Sequence, residues 1–229
     1  MVILCGGRGT RLQEHTQSIP KPMVEIGGRP ILWHVLQIFL AQGFRRFLLL
    51  TGYRGEQVAH FVASEAWPAD AEIRCLPTGG RLHRAGEALE GRGFCLTYGD
   101  GVADINLDAL LTTHAGHGAA ATMTVVRPAL PFGVAHLNGE GVVRGFSEKP
   151  QSEQWINGGF FCFEPAVLEL LSPDSVLERG PLERLAAAGD LRAFRHEGFW
   201  DCMDTYKDAV ALNDLWATGA APWKLWASP

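Results

Sequence analysis

The opening residues constrain this chain more than any other stretch. Met1-Val2-Ile3-Leu4 has the character of a buried β-strand, and it stops at Cys5-Gly6-Gly7-Arg8-Gly9-Thr10-Arg11-Leu12. The glycines at 6, 7 and 9 remove the Cβ atoms that would hold an anion away from backbone N–H groups. Arg8, Arg11 and, past Pro20, Lys21 add cationic side chains. A glycine turn at the end of a buried strand, with cations behind it, is a place to hold phosphate. It is not a P-loop, since no Gly-Lys-Ser/Thr closes it. Nor is it a dinucleotide fingerprint, because Leu12 stands where the third glycine belongs.

The rest of the first half repeats one rhythm. Pro30 opens a helix in which Ile31, Leu32, Val35, Leu36, Phe39 and Leu40 recur at helical spacing, and Gly43 closes it. Residues 47–51 form a continuous apolar strand, 56–66 an amphipathic helix, 72–76 a short strand and 81–89 a helix. Residues 94–98 make another buried strand, which ends at Gly99-Asp100-Gly101, and a helix at 107–117 and a strand at 120–126 follow. Alternating short apolar strands and helices predict βαβ units on a mostly parallel sheet. Right-handed crossovers then set every strand's C-terminal end on one edge, where α/β sheets bind ligands. The glycine loop and Asp100 are therefore expected side by side.

Beyond Pro128 the pattern changes. Residues 132–146 read as a hairpin turning near Asn138-Gly139. Ser147-Glu148-Lys149-Pro150 and a strand at 156–163 come next. Helices are expected at 165–171, 181–188 and 206–216, with a short strand at 191–194, and Trp223 and Trp226 look exposed in the tail. With no linker or low-complexity tract, residues 1–229 are expected to form one α/β domain, 1–127 mainly serving a nucleotide and 128–229 a sugar phosphate.

Composition narrows the partners. A net charge of −5 argues against a general nucleic-acid binder. No apolar run approaches the ~18 residues that a membrane span requires. The cysteines at 5, 75, 95, 162 and 202 are scattered without a C-x-x-C pair, which suits reduced thiols in the cytosol. With no basic leader before the first strand, a cytoplasmic location is expected.

Gly6-Gly7-x-Gly9-Thr10-Arg11-Leu12 followed by Pro20-Lys21-Pro22-Met23 resembles the signature of the sugar-1-phosphate nucleotidylyltransferases. The stretch 21–34, Gly99-Asp100-Gly101-Val102-Ala103-Asp104, Ile156-Asn157-Gly158-Gly159-Phe160-Phe161 and the tail from Ala221 to Trp226 are similar in particular to the members that use CTP and glucose 1-phosphate. The resemblance implies a Rossmann-like nucleotidyltransferase fold of the GT-A type and a dependence on Mg²⁺. It further implies CTP and glucose 1-phosphate as the leading substrate pair, and a homo-oligomer. Such a reaction is in-line attack of a phosphate oxygen on an α-phosphorus. It needs cations, oriented donors and a divalent metal rather than a strong base.

The resemblance also assigns roles. Asp100 and Asp204 hold the metal, a pair that suits an ion preferring one or two carboxylates plus phosphate oxygens and waters. On its residues alone, Asp204 could equally cap the last helix. Arg11, Lys21 and Asp100 carry the catalysis, with Arg11 on the leaving pyrophosphate and Lys21 on the incoming phosphate. The nucleotide lies against Leu4, Gly6, Gly7, Gly9, Thr10, Thr78, Gly79, Gly80, Arg81 and Gly99, and the sugar phosphate against Tyr98, Glu148, Lys149, Asn157 and Gly158. The chain departs from those relatives in lacking an insertion just before Thr78, which leaves open GTP, UTP or dTTP paired with another sugar phosphate. A non-catalytic sugar-nucleotide sensor would break the metal pair or the phosphate cations, yet Asp100, Asp204, Lys21 and Lys149 are all in place. A glycosyltransferase would need an Asp-x-Asp motif, which Gly99-Asp100-Gly101 does not supply. Asp104 reads as a loop-capping residue. His114 and His117, three apart at a helix end, lack a third ligand.

Overall fold

The apolar runs of the sequence become strands because each can bury side chains on both faces of one sheet. The computed structural model describes residues 1–7, 18–79 and 82–227. In chain order the strands are β1 (Val2–Cys5), β2 (Glu25–Ile26), β3 (Arg29–Pro30), β4 (Arg46–Thr51), β5 (Glu72–Pro77), β6 (Phe94–Tyr98) and β7 (Gly101–Ala103). They continue with β8 (Ala121–Val126), β9 (Val134–Leu137), β10 (Val143–Ser147), β11 (Ile156–Phe163), β12 (Leu191–Arg195) and β13 (Trp200–Cys202). Seven of them form the central sheet in the order β12-β8-β11-β6-β1-β4-β5. All of its pairings are parallel except those of β11, which runs antiparallel to both β6 and β8.

The fold is therefore the expected Rossmann-like, mostly parallel α/β sheet. The reversed strand was not foreseen, because an unbroken apolar run reads the same in either direction. Apolar side chains fill both faces of the sheet. Helix Ile31–Ala41 supplies one face through Ile31, Leu32, Val35, Leu36, Phe39 and Leu40, all buried, and Gly43 lies beyond its end at φ 88°. Each such side chain contributes roughly 1.5–3 kcal/mol when fully buried.

Two expectations are corrected. Residues 81–89 do not form one helix: Leu82–Ala85 is a 3₁₀ turn and Gly86–Leu89 a single helical turn. Gly86 at the junction carries the backbone-entropy cost that weakens a helix interior. Trp223 is not exposed but fully buried. It stacks on Phe199, with ring centroids 5.4 Å apart, and its Nε1 donates to His34 Nδ1 at 3.3 Å. Trp216 and Trp226 close the same cluster around His34. The aromatic tail thus packs on its own chain.

The expected hairpin is present as β9 and β10, a two-stranded sheet of its own. Phe132, Leu137 and Phe146 are each more than 60% exposed there, so this arm lies against little of the chain described.

Candidate active site

β1 and β6 are neighbours, so the loops that leave their C-terminal ends start together. Gly99 N–H donates to the Leu4 carbonyl at 3.1 Å. The edge is tight enough to demand glycine. A Cβ on Gly99 would lie 3.3 Å from Cys5 Sγ, the Leu4 carbonyl and Pro22 Cγ, and one on Gly52 would lie 2.7 Å from the Gly6 carbonyl. Gly6, Gly7, Gly99 and Asp100 are thereby brought to one place, as the parallel topology requires.

Lys21 reaches the same place from the 3₁₀ turn Lys21–Met23, which follows Pro20. Its Nζ lies 2.6 Å from Asp100 Oδ2 and 2.5 Å from Asp204 Oδ1. Asp204 is positioned by β13, which pairs antiparallel with β7 so that Cys202 faces Gly101. Met203 N–H then donates to the Asp100 carbonyl at 2.9 Å. The alternative of Asp204 as a helix cap is resolved by its neighbour. Thr205 caps helix Tyr206–Ala217 and exchanges hydrogen bonds with Asp208, so the Asp204 carboxylate is turned to Lys21 instead.

The electrostatics follow from the geometry. Burial opposes the charge on Lys21, but Asp100 and Asp204 outweigh it and hold the ammonium's pKa above its ordinary value. The Cys202 thiol is pushed up to about 12 by burial and by the charges of Asp204, Asp100 and Asp201. Carboxylate charge therefore gathers here around one ammonium. Both carboxylates converge on the Lys21 ammonium through one oxygen each, which leaves the second oxygen of each for another cation, and among the described residues no group of three or more ligating side chains adds to them. Such a donor set, two hard oxygens and no more, fits Mg²⁺, which keeps waters and takes its remaining ligands from phosphates.

Two clefts meet at Asp100. One, of about 380 Å³, is lined by Leu4, Cys5, Gly6, Gly7, Lys21 and Gly79, together with Pro22, Tyr98, Gly99, Asp100 and Glu178. The other, of about 320 Å³, is lined by Asn157, Gly158, Gly159, Trp200, Cys202 and Asp204, and shares Tyr98 and Asp100 with the first. Tyr98 forms the partition. Gly159, at φ 81°, makes room for its ring, since a Cβ there would lie 2.7 Å from Tyr98 Cδ2. Asn157 Nδ2 donates to the Tyr98 oxygen at 3.4 Å, and the phenol donates to Glu178. Burial and the Glu178 carboxylate both push the Tyr98 pKa far up, so the phenol keeps its proton. The Gly158 carbonyl accepts from Trp200 Nε1 at 2.7 Å.

The other expected residues divide. Thr78 is buried beside Gly79, and its hydroxyl has no partner among the described residues. Glu148 and Lys149 are exposed at the foot of the hairpin and outside the lining of both clefts. Lys149 holds φ 46°, a left-handed conformation uncommon for a residue with a side chain. Arg8, Gly9, Thr10, Arg11, Gly80 and Arg81 lie outside the described residues. Asp104 turns to His196, 3.1 Å away, in the turn before β13. His114 and His117 both bond the buried Thr122 hydroxyl, at 2.8 and 2.7 Å. Sequence reasoning assigned no role to Glu178, which carries no local signature, nor to Trp200 and Cys202, which stand in the stretch before Asp204 and line the second cleft.

Known proteins resemble this chain along nearly its whole length. Residues 1–188 match the family model described as nucleotidyl transferase. The probable glucose-1-phosphate cytidylyltransferase of Bacillus subtilis is 40% identical over 252 aligned positions, covering 98% of this chain and 99% of the relative. The glucose-1-phosphate cytidylyltransferase of Salmonella typhimurium is 40% identical over 258 positions, covering 98% of both chains. Both aligned spans exceed the 229 residues of this chain, so the relatives carry residues that it lacks. Among solved structures, HddC from Yersinia pseudotuberculosis complexed with GMP-PN superposes with a TM-score of 0.74 at 20% identity, covering 94% of this chain and 98% of that one. At that identity the likeness is one of fold.

Proposed function

The chain belongs to the nucleotidyl transferase family, and from that premise we propose that it joins CTP to glucose 1-phosphate, giving CDP-glucose and pyrophosphate. The observation that carries this reading is the pair of clefts meeting at Asp100, where Lys21 links Asp100 to Asp204. Forty per cent identity to two cytidylyltransferases along nearly the whole chain supports the choice of substrates.

The nucleotide enters the cleft of Leu4, Gly6, Gly7, Gly79 and Gly99, with its triphosphate toward the glycine loop and Lys21. The sugar phosphate enters beside Asn157, Gly158 and Tyr98. An oxygen of the sugar's phosphate, already ionised, attacks the α-phosphorus in line. The new P–O bond forms as the bond to the β-phosphate's bridging oxygen breaks, and pyrophosphate departs with the charge. Lys21, held cationic by its two carboxylate neighbours, offsets the repulsion between the two polyanions. Asp100 and Asp204 would hold Mg²⁺, which supplies Lewis-acid stabilisation of phosphate charge when bound. Arg11 serves the departing pyrophosphate, where a guanidinium can reach two oxygens at once. On the motif, Thr78, Gly80 and Arg81 are assigned to the base, and Gly9 and Thr10 to the phosphates. Glu148 and Lys149 receive the sugar and its phosphate from the hairpin side.

Assembly as a homo-oligomer belongs to the same reading. The exposed Phe132, Leu137 and Phe146 form the apolar surface that a second copy would cover.

The test is pyrophosphate release with Mg²⁺ across CTP, UTP, GTP, dTTP and ATP against a panel of sugar 1-phosphates. Preferred turnover of CTP with glucose 1-phosphate is expected. Preference for another pair keeps the reaction and overturns the substrates. No release with any pair, from protein that still binds nucleotide, overturns the reaction itself.

A further inference from the structure

Glu178 is out of place in a cleft built for phosphate. It lines the same cleft as Gly6, Gly7 and Gly79, and one of its oxygens, Oε1, accepts a hydrogen bond from the Tyr98 phenol. Among the described residues no lysine or arginine pairs with it and no donor meets Oε2. A carboxylate there repels a triphosphate, so the phosphates must lie at the other end, where Lys21 sits. Glu178 is left facing the nucleoside.

We propose that Glu178 selects the base, by accepting a hydrogen bond from an exocyclic amine. An ionised carboxylate is acceptor-only. It welcomes the amine of cytosine and meets the corresponding carbonyl of uracil lone pair against lone pair. Glu178 is exposed in the free protein, and a base seated against it takes it from water, so the wrong base leaves an acceptor unpaired. The Tyr98 proton fixes the direction of the carboxylate, and Asn157 fixes Tyr98 from the sugar cleft. The base-reading group is thereby tied to the site of the second substrate.

This inference rests on the nucleotide lying in that cleft but not on catalysis, so equilibrium binding tests it separately. Dissociation constants for CTP, UTP and 2′-deoxy-CTP are measured by calorimetry on the wild-type protein and on Glu178→Gln, with melting temperatures to verify folding. Wild type is expected to bind CTP at least tenfold tighter than UTP. In Glu178→Gln, whose amide can donate to a carbonyl as well as accept, that ratio should shrink by about tenfold or more. The ratio for 2′-deoxy-CTP over CTP should not move. An unchanged CTP/UTP ratio in folded Glu178→Gln overturns the assignment, as does wild type that prefers UTP. Loss of discrimination against 2′-deoxy-CTP instead would place Glu178 on the ribose and overturn it too. If Glu178→Gln does not fold, Tyr98→Phe replaces it: it leaves the carboxylate and removes its anchor, and the CTP/UTP ratio should still narrow. Amine-selective binding in a protein without turnover would fail the proposed reaction while sustaining the role of Glu178.

Discussion

The C-terminal edge of the central sheet and the β9–β10 hairpin are built in opposite ways. At the sheet edge, backbone pairing places every group. β1 beside β6 sets Leu4 against Tyr98, β13 on β7 sets Cys202 against Gly101, and Lys21 joins the Asp100 and Asp204 carboxylates just beyond those pairs. Behind that edge lies a core that includes the fully buried Trp223. The hairpin is two strands paired only with each other, with large apolar side chains in solvent and Glu148 and Lys149 at its foot. An isolated hairpin is only marginally stable in water. The contrast separates two tasks. Charge that develops in a transition state needs groups fixed in advance. A substrate's outer contacts can come from an arm held by packing against something else, which under the proposed assembly is a second copy of the chain.

Substitutions on the two regions should therefore fail differently. Asp204→Asn is expected to lower kcat by on the order of 10²–10³-fold and leave the melting temperature nearly unchanged, since it removes charge and little volume. Normal kcat would separate Asp204 from the chemistry. Lys149→Ala keeps the same backbone strain and deletes the ammonium. It should raise the KM for the sugar phosphate by about tenfold with a smaller change in kcat. An unchanged KM would remove the hairpin foot from the site. Phe132→Ser together with Phe146→Ser should lower the assembly mass in sedimentation while near-UV circular dichroism stays native. An unchanged mass would move the subunit contact elsewhere.

The smallest effect concerns the scaffold alone. His34 is buried, its Nε2 bonds the Ile26 carbonyl at 2.8 Å, and burial depresses its pKa to about 4. The unfolded chain takes that proton near 6.5 and the folded one holds out to about 4. Between those values the unfolded state binds more protons, so stability falls as pH falls, by up to about 1.4 kcal/mol per pH unit from this group. Below about pH 4 the slope from this group ends. His34→Gln should be less stable at pH 7 yet show a shallower acid limb in denaturant titrations across that window. An identical slope would refute the assignment.

The same contrast marks what was legible in the sequence. The strand leading to Gly6 and Gly7, the strand ending before Asp100 and the helix 31–41 are local patterns, and each lies where the sequence puts it. The meeting of Gly6 and Asp100 also followed, because parallel topology leaves one edge for all strand ends. What could not be read depends on distant partners. Trp223 looks like an exposed tail residue until His34, 189 positions away in sequence, is seen to receive its N–H. β11 shows no direction in its side chains. Lys21 and the two aspartates were assigned separate duties, although one ammonium touches both. Glu178 has no motif at all, and only the path of the chain toward Tyr98 gives it a place. The roles of Arg11, Thr10, Gly9, Gly80 and Arg81 rest on the motif alone.

The most direct measurement is single-turnover pyrophosphate release from CTP and glucose 1-phosphate by Asp100→Asn, alongside its melting temperature and its affinity for CTP. Asp100 lines both clefts and faces Asp204 across Lys21. Release is expected to be lost, with folding intact and CTP still bound. Release at the wild-type rate would contradict a reaction centred on Asp100.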